Sequence, residues 1–220
     1  MDINVEVVFQ SLGVLFYGLW MTIAITVISL FIALILGLFT ALMKLSKSKI
    51  LKMISNTYIN IIRGTPLLVQ VFYVYFALPS LLGFRIDAWT AAITALSLNA
   101  GAYIAEVFRS GIQAVSKGQY EAALAQGMTT RQTMQYVILP QAIRIVIPSL
   151  LNQFIITLKD TSLVSVIGFE ELARKGQIVI ATSYAAFEIW TVVALMYLAT
   201  VFTLTKLSEG LEKRLRIGEY

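Results

Sequence analysis

The sequence predicts an all-α integral membrane protein with five transmembrane helices, its N-terminus outside and its C-terminus inside. Three observations carry that reading. First, 58% of the residues are hydrophobic and 13% charged, with a mean hydropathy of +0.80, and a soluble domain needs more polar residues than that to cover its surface. Second, long runs carry no charge, residues 7–43 above all, whereas a crossing helix needs about 20 apolar residues. Third, the basic residues are unequally shared between alternate loops, as topology requires of a multi-pass chain.

The elements follow in order. Residues 5–16 are expected as a short helix on the outer surface and 17–43 as the first span. Residues 53–82 make the second, with Arg63-Gly64-Thr65-Pro66 near its start, and 83–87 a short turn. The third span covers 88–115 and the fourth 133–158. An irregular polar connection over 159–177 leads to a fifth span over 178–207 and a basic tail. Lys44, Lys47, Lys49 and Lys52 follow span one, Arg109, Lys117 and Arg131 follow span three, and Lys206, Lys213, Arg214 and Arg216 close the chain. On the other side Arg85, Lys159, Arg174 and Lys175 are balanced by Asp87, Asp160, Glu170 and Glu171. The unbalanced side is read as cytoplasmic. Trp20, Trp89, Tyr184 and Trp190 fall near span ends, where amphipathic rings sit at the lipid headgroups.

The same composition excludes several functions. The chain has no histidine and no cysteine, so the usual zinc and haem ligands, thiol nucleophiles and imidazole bases are missing. With no cluster of acids at one depth either, an intramembrane enzyme is excluded. The net charge of +5 is a topology signal, since no basic groove with base-stacking aromatics can be drawn for nucleic acid. Asp2 and Glu6 stand where a cleavable signal would carry Lys or Arg, so the first span is expected to be retained. Without an internal repeat, low-complexity tract or linker, residues 1–220 read as one transmembrane domain in contact with lipid.

One polar stretch, EAALAQGMTTRQTMQYVILP at residues 121–140, interrupts the apolar chain. Its first part is rich in helix formers, and Tyr120, Leu124 and Met128 share a face by four-residue spacing. Gly127 either ends a short helix with positive φ or admits another backbone. The spacing fits equally a helix lying on lipid and one docked into a soluble partner.

Glu121-Ala122-Ala123, three residues, Gly127 and then Leu139-Pro140 resemble the EAA motif of ABC importer permeases, with Val137 where that family usually has Ile. Arg63-Gly64-Thr65-Pro66-Leu67-Leu68-Val69-Gln70, Lys159-Asp160-Thr161-Ser162-Leu163, Glu188 and Leu211-Glu212-Lys213-Arg214-Leu215 resemble its polar amino acid subfamily. The resemblance covers roughly residues 10–218. It implies a permease domain whose residues 117–130 form a cytoplasmic coupling helix, with Glu121, Ala122, Ala123 and Gly127 against the ATP-hydrolysing subunit. It also implies two ATPase subunits holding ATP and magnesium, a second permease copy or paralogue, and an extracytoplasmic amino-acid-binding protein in a prokaryotic cell membrane. Consistent with that division, the chain has no Gly-x4-Gly-Lys-Ser/Thr phosphate loop. No cofactor is expected in this chain. The alternative is an ATP-independent channel or facilitator for small polar solutes.

Polar side chains deep in a span mark either interhelical hydrogen bonds or a solute path. Asn99, Tyr103 and Glu106 share one face of span three, and Glu106 is expected to be structural. Ser149, Gln153, Thr157 and Asp160 form a stripe on span four, flanked by Asn152. Pro148 frees the carbonyl of Arg144 and favours a kink. Lys159, Asp160, Thr161 and Ser162 interrupt the apolar run, as broken helices do at transporter sites. Lys159 and Asp160 either receive the two charges of an amino acid or pair with each other at the outer surface. Gln70 is a further pathway candidate. An amide at Gln153, where a cationic solute would want a carboxylate, favours glutamine or another uncharged polar amino acid.

Overall fold

A computed structural model describes residues 5–216, with side chains described through Lys213. Asp2 and the side chains of Arg214, Leu215 and Arg216, used above, lie outside the described residues. The elements are helical: α1 (Val5–Leu45), α2 (Lys49–Arg63), α3 (Leu67–Phe72), α4 (Leu78–Leu82), α5 (Ala88–Ala114), α6 (Lys117–Ala125), α7 (Thr130–Gln132), α8 (Leu139–Asp160), α9 (Leu172–Ser183) and α10 (Ala186–Arg216). Wider π-helical turns join α3 to α4 at Tyr73–Ala77 and α7 to α8 at Thr133–Ile138, and a tight 3-10 stretch, Thr161–Ile167, follows α8. Four helical stretches are long and apolar enough to cross a membrane, and the bent pair of α2 with α3–α4 raises the number to as many as five.

Three boundaries differ from expectation. The separate outer helix over 5–16 does not exist: α1 is one helix of 41 residues, about 60 Å long at 1.5 Å per residue. Its first half packs against α9 and α10 around Leu15, Leu172, Ala185, Ile189 and Val193, and that partner lets it continue. The connection over 159–177 is not irregular, since it is made of the end of α8, the 3-10 stretch and the start of α9. The fifth span starts at Ala186, not at residue 178, because Tyr184 takes a left-handed φ of 57° and reverses the chain. Only the short polar step Thr182-Ser183-Tyr184 interrupts the apolar residues there, and neither Gly nor Pro marks the turn.

The centre is the pairing of α1 with α5. Ser29, Ala33, Gly37 and Ala41 recur every fourth residue on α1 and are buried, facing Ser97, Gly101 and Ala105 on α5. Gly37 lies against Ile104 and Ala105, while Gly101 lies against Ala33 and Leu36, so the two helices run in the same direction. A Cβ on Gly37 would sit 2.6 Å from Ile104 Cγ2. In lipid such close approach is the main source of association, because apolar side chains gain nothing by leaving lipid for each other.

Prolines decide where the helices open. Pro79 and Pro140 have no N–H for the preceding turn and their rings crowd the carbonyl four residues back. In response the residue before each reaches back five, Leu78 N–H to Tyr73 O and Leu139 N–H to Met134 O, which is the π pattern. At Pro66 the chain breaks outright, and α2 meets α3–α4 at 105°. Pro148, expected to kink span four, is carried inside a continuous α8.

Glu171 is fully buried and is not the surface counter-charge that the sequence suggests. It caps α9 by accepting the N–H groups of Ala173 at 2.9 Å and Arg174 at 2.7 Å. It also accepts the Tyr197 hydroxyl at 2.7 Å and that of Thr22 at 3.5 Å, joining α9 to α10 and α1. Burial raises its carboxyl above the usual range, and the hydrogen bonds from Ala173, Tyr197, Arg174 and Thr22 oppose that rise. At the opposite end of the scale, Asp87 caps α5, and its bonds from Thr90 hold its carboxyl below the usual range.

Two substitutions test this packing. Gly37→Leu is expected to destabilise by about 1–3 kcal/mol through overpacking, while Gly13→Ala, with open space around it, is tolerated. Both are read as the thermal midpoint in detergent. Tyr197→Phe removes one donor from the buried carboxylate and is expected to cost about 1–3 kcal/mol by the same measurement.

Candidate functional site

The break at Gly64–Pro66 builds one wall of a cavity. Pro66 forces Thr65 out of helical geometry, so α2 closes with the Gly64 N–H on Asn60 O at 2.9 Å and the chain restarts at Leu67. Gln70, one turn into α3, reaches back across the break. Its Nε2 donates to Ile62 O at 2.7 Å, Thr65 O at 3.0 Å and Thr65 Oγ1 at 3.0 Å. Its Oε1 accepts Asn99 Nδ2 of α5 at 3.0 Å.

The cavity measures about 280 Å³ and is lined by Thr65, Pro66, Leu67, Asn99, Tyr103, Gln153, Ile156 and Asp160. Asn99, Tyr103, Gln153 and Asp160, named from two separate stripes, therefore meet at one place. The other candidates do not line it. Gln70 stands behind Asn99 as a strut. Thr157 is buried and accepts Gln153 Nε2 at 3.4 Å. Thr161 is buried with its hydroxyl on Leu158 O, and the Ser162 hydroxyl is taken by Lys159 O. Ser149 and Lys159 are exposed elsewhere on α8.

Among the described residues Lys159 and Asp160 form no ion pair, since adjacent helical residues point in different directions. Asp160 is thus a carboxylate at the cavity without a bonded cation. A positive group stands nearby, as Arg63 lies over the Tyr103 ring at 5.2 Å, a cation–π contact. Thr65, Pro66, Leu67 and Ile156 were missed as lining residues. The available signal was the Gly64–Pro66 interruption inside an apolar run, which is where transporter helices break. Glu106 is structural, as expected: it holds Lys44 of α1 at 2.5 Å and Arg109 at 2.8 Å.

A second feature lies at the Lys44 end of the bundle. The nine-residue α6 begins at a Ser116 cap. It ends in a Schellman motif, with Met128 N–H on Ala123 O at 3.1 Å and Gly127 N–H on Leu124 O at 2.9 Å. Gly127 has φ 83°, so the positive-φ alternative holds. Ala123 is buried and Tyr120 packs with Val115, Ile138 and Ala142. Leu124 faces outward with Glu121, Ala122 and Ala125, so the expected Tyr120–Leu124–Met128 face is not the one that packs. Tyr120 and Ala123, three apart, are the inner anchor.

Residues 33–217 match the family described as binding-protein-dependent transport system inner membrane component. The chain belongs to this permease family. The glutamine transport system permease protein GlnP of Escherichia coli (strain K12) is 41% identical over 218 residues, 99% of this chain and 100% of that one. The arginine transport system permease protein ArtQ of Bacillus subtilis (strain 168) is 37% identical over 219 residues, 100% of both chains. A chain in the crystal structure of an amino acid ABC transporter with histidines superposes with a TM-score of 0.92 at 42% identity, over 97% of this chain and 99% of that one. A chain of the MetNI methionine ABC transporter in an inward-facing conformation shares the fold, with a TM-score of 0.79 at 21% identity over 94% of this chain and 98% of that one. The permease is a multi-pass membrane subunit of a transport system whose ATPase is a separate subunit, and the facilitator alternative falls away.

Gly127→Ala is expected to strain the end of α6 by about 1–2 kcal/mol, the cost of a left-handed L-residue. Faster amide exchange confined to residues 117–128 is the expected sign, and unchanged exchange there would contradict the Schellman assignment.

Proposed function

We propose that this permease imports a polar, uncharged amino acid of the glutamine class, driven by ATP, through the cavity at the α2–α3 break. The observation that carries the reading is its chemistry: one unpaired carboxylate, Asp160, beside two amides, Asn99 and Gln153. Asp160 suits the solute ammonium, and the opening N–H groups of the helix that starts at Leu67 suit its carboxylate. A buried amide at Gln153 suits a neutral side chain, since a second cation on the solute would want a second acid. The relatives named for glutamine and arginine transport both support an amino acid.

In this reading the permease spans a prokaryotic cell membrane as a single domain, N-terminus outside and C-terminus inside. A second permease copy or paralogue completes the path, and an extracytoplasmic binding protein delivers the solute. Two ATPase subunits, holding ATP and magnesium, receive the outward face of α6 at Glu121, Ala122, Leu124 and Ala125. Ala123 and Gly127 then act indirectly, by anchoring that face and shaping its end. ATP-driven closure of the ATPase pair draws the two α6 helices together and turns the path outward. Product release reverses it, the work coming from the different affinities of the two states.

The test is labelled amino acid uptake into proteoliposomes holding the permease with its co-purified ATPase and binding protein. ATP-dependent glutamine uptake in preference to arginine is expected. Preference for arginine would keep the importer and overturn the Gln153 argument. Ala122→Arg, on the outward face of α6, is expected to cut ATP-driven uptake at least about tenfold, a loss equivalent to about 1.4 kcal/mol or more. Uptake unchanged by that substitution would overturn the placement of the ATPase contact.

A further inference from the structure

We propose that Gln70 is a positioning residue that sets the polarity of the cavity, the broken end of α2 fixing its amide and its amide fixing that of Asn99. The inference rests on the proposed solute reading and goes beyond it, since Gln70 itself does not line the cavity.

An amide side chain offers two donors on nitrogen and an acceptor on oxygen, and its direction is decided by its partners. For Gln70 three partners lie on one side: Ile62 O, Thr65 O and Thr65 Oγ1, at 2.7, 3.0 and 3.0 Å from Nε2. Two of these are carbonyls, which only accept. The break at Gly64–Pro66 leaves them without helical donors, and a carbonyl left unpaired at membrane depth is costly. The nitrogen of Gln70 must therefore face the break, and its oxygen must face α5.

That oxygen can only accept, so Asn99 must turn its nitrogen towards it, as the 3.0 Å bond records. One amide has now decided the other. The remaining acceptor of Asn99, Oδ1, has no protein partner among the described hydrogen bonds, in a side chain that lines the cavity. With Nδ2 held towards Gln70, the free end of the Asn99 amide is its acceptor, which suits a solute N–H. Both amides are nearly buried, Gln70 9% and Asn99 8% exposed, so water cannot easily replace either bond. A freely rotating Asn99 would offer either polarity. The relay from the broken helix removes that choice before the solute arrives, which is preorganisation.

The experiment measures KM and maximal rate for ATP-driven glutamine uptake by wild type, Gln70→Met and Gln70→Glu in the same proteoliposomes. Gln70→Met removes the relay and is expected to raise KM about tenfold while lowering the maximal rate less than about twofold. Gln70→Glu places a carboxylate against two carbonyls, which raises its pKa. Its KM is expected to be high at about pH 7.5 and to fall towards the wild-type value at about pH 5.5, as protonation restores one donor to the break. The wild-type KM is expected to stay level over that range. A role in folding alone would lower the maximal rate at constant KM and show no return on acidification. Unchanged KM in Gln70→Met would overturn the relay and leave the solute reading intact. Absence of wild-type glutamine uptake would overturn both.

Discussion

The break between α2 and α3 is the constraint on which the rest of the site depends. In a bilayer every backbone polar group needs a partner within the protein, yet a transport site needs backbone that leaves helical geometry. Gln70 reconciles the two demands. It meets the carbonyls of Ile62 and Thr65 that the break exposes and ties them to Asn99 on α5. The wall beside Thr65, Pro66 and Leu67 can then leave helical geometry with the carbonyls of Ile62 and Thr65 paired. Remove the break and that wall becomes continuous helix.

The four prolines show how one chemical defect gives different outcomes. Each lacks an N–H. Pro66 follows Gly64 and the chain bends by 105°. Pro79 and Pro140 open one π turn each, and Pro148 sits within an uninterrupted α8. The π turn before Pro140 lies between the short α6 and α8 and packs with Tyr120 through Met134, Val137 and Ile138. The π turn that precedes Pro140 thus packs against α6 and leads directly into α8.

Charge is handled by the same economy. Glu106 joins two cations, and Glu171 gathers two backbone donors and two hydroxyls. Each binds separate helices together: α1 with α5 in one case, and α1, α9 and α10 in the other. Asp160 differs, because no cation bonds to it among the described residues and it lines a cavity. An acid held without a bonded partner in a largely apolar bundle is costly, which is the physical ground for proposing Asp160, and not Glu106 or Glu171, as a ligand contact.

By itself the sequence determined the membrane class, the helical content, the position of α5 and the polar α6, because hydropathy, caps and turn residues act over short range. Val7 to Met43 carries no charge, Asp87 precedes α5 as its cap, and Gly127 stands where a left-handed residue is needed. It also named Asn99, Tyr103, Gln153 and Asp160. Only tertiary structure decided that these four share a cavity while Ser149 and Lys159 do not, since each stripe is read on its own helix and the angle between helices is set by contacts such as Gly37 on Ile104. The same holds for the unbroken α1, the turn at Tyr184 and the burial of Glu171. Each depends on a partner distant in sequence, and local periodicity carries no record of it.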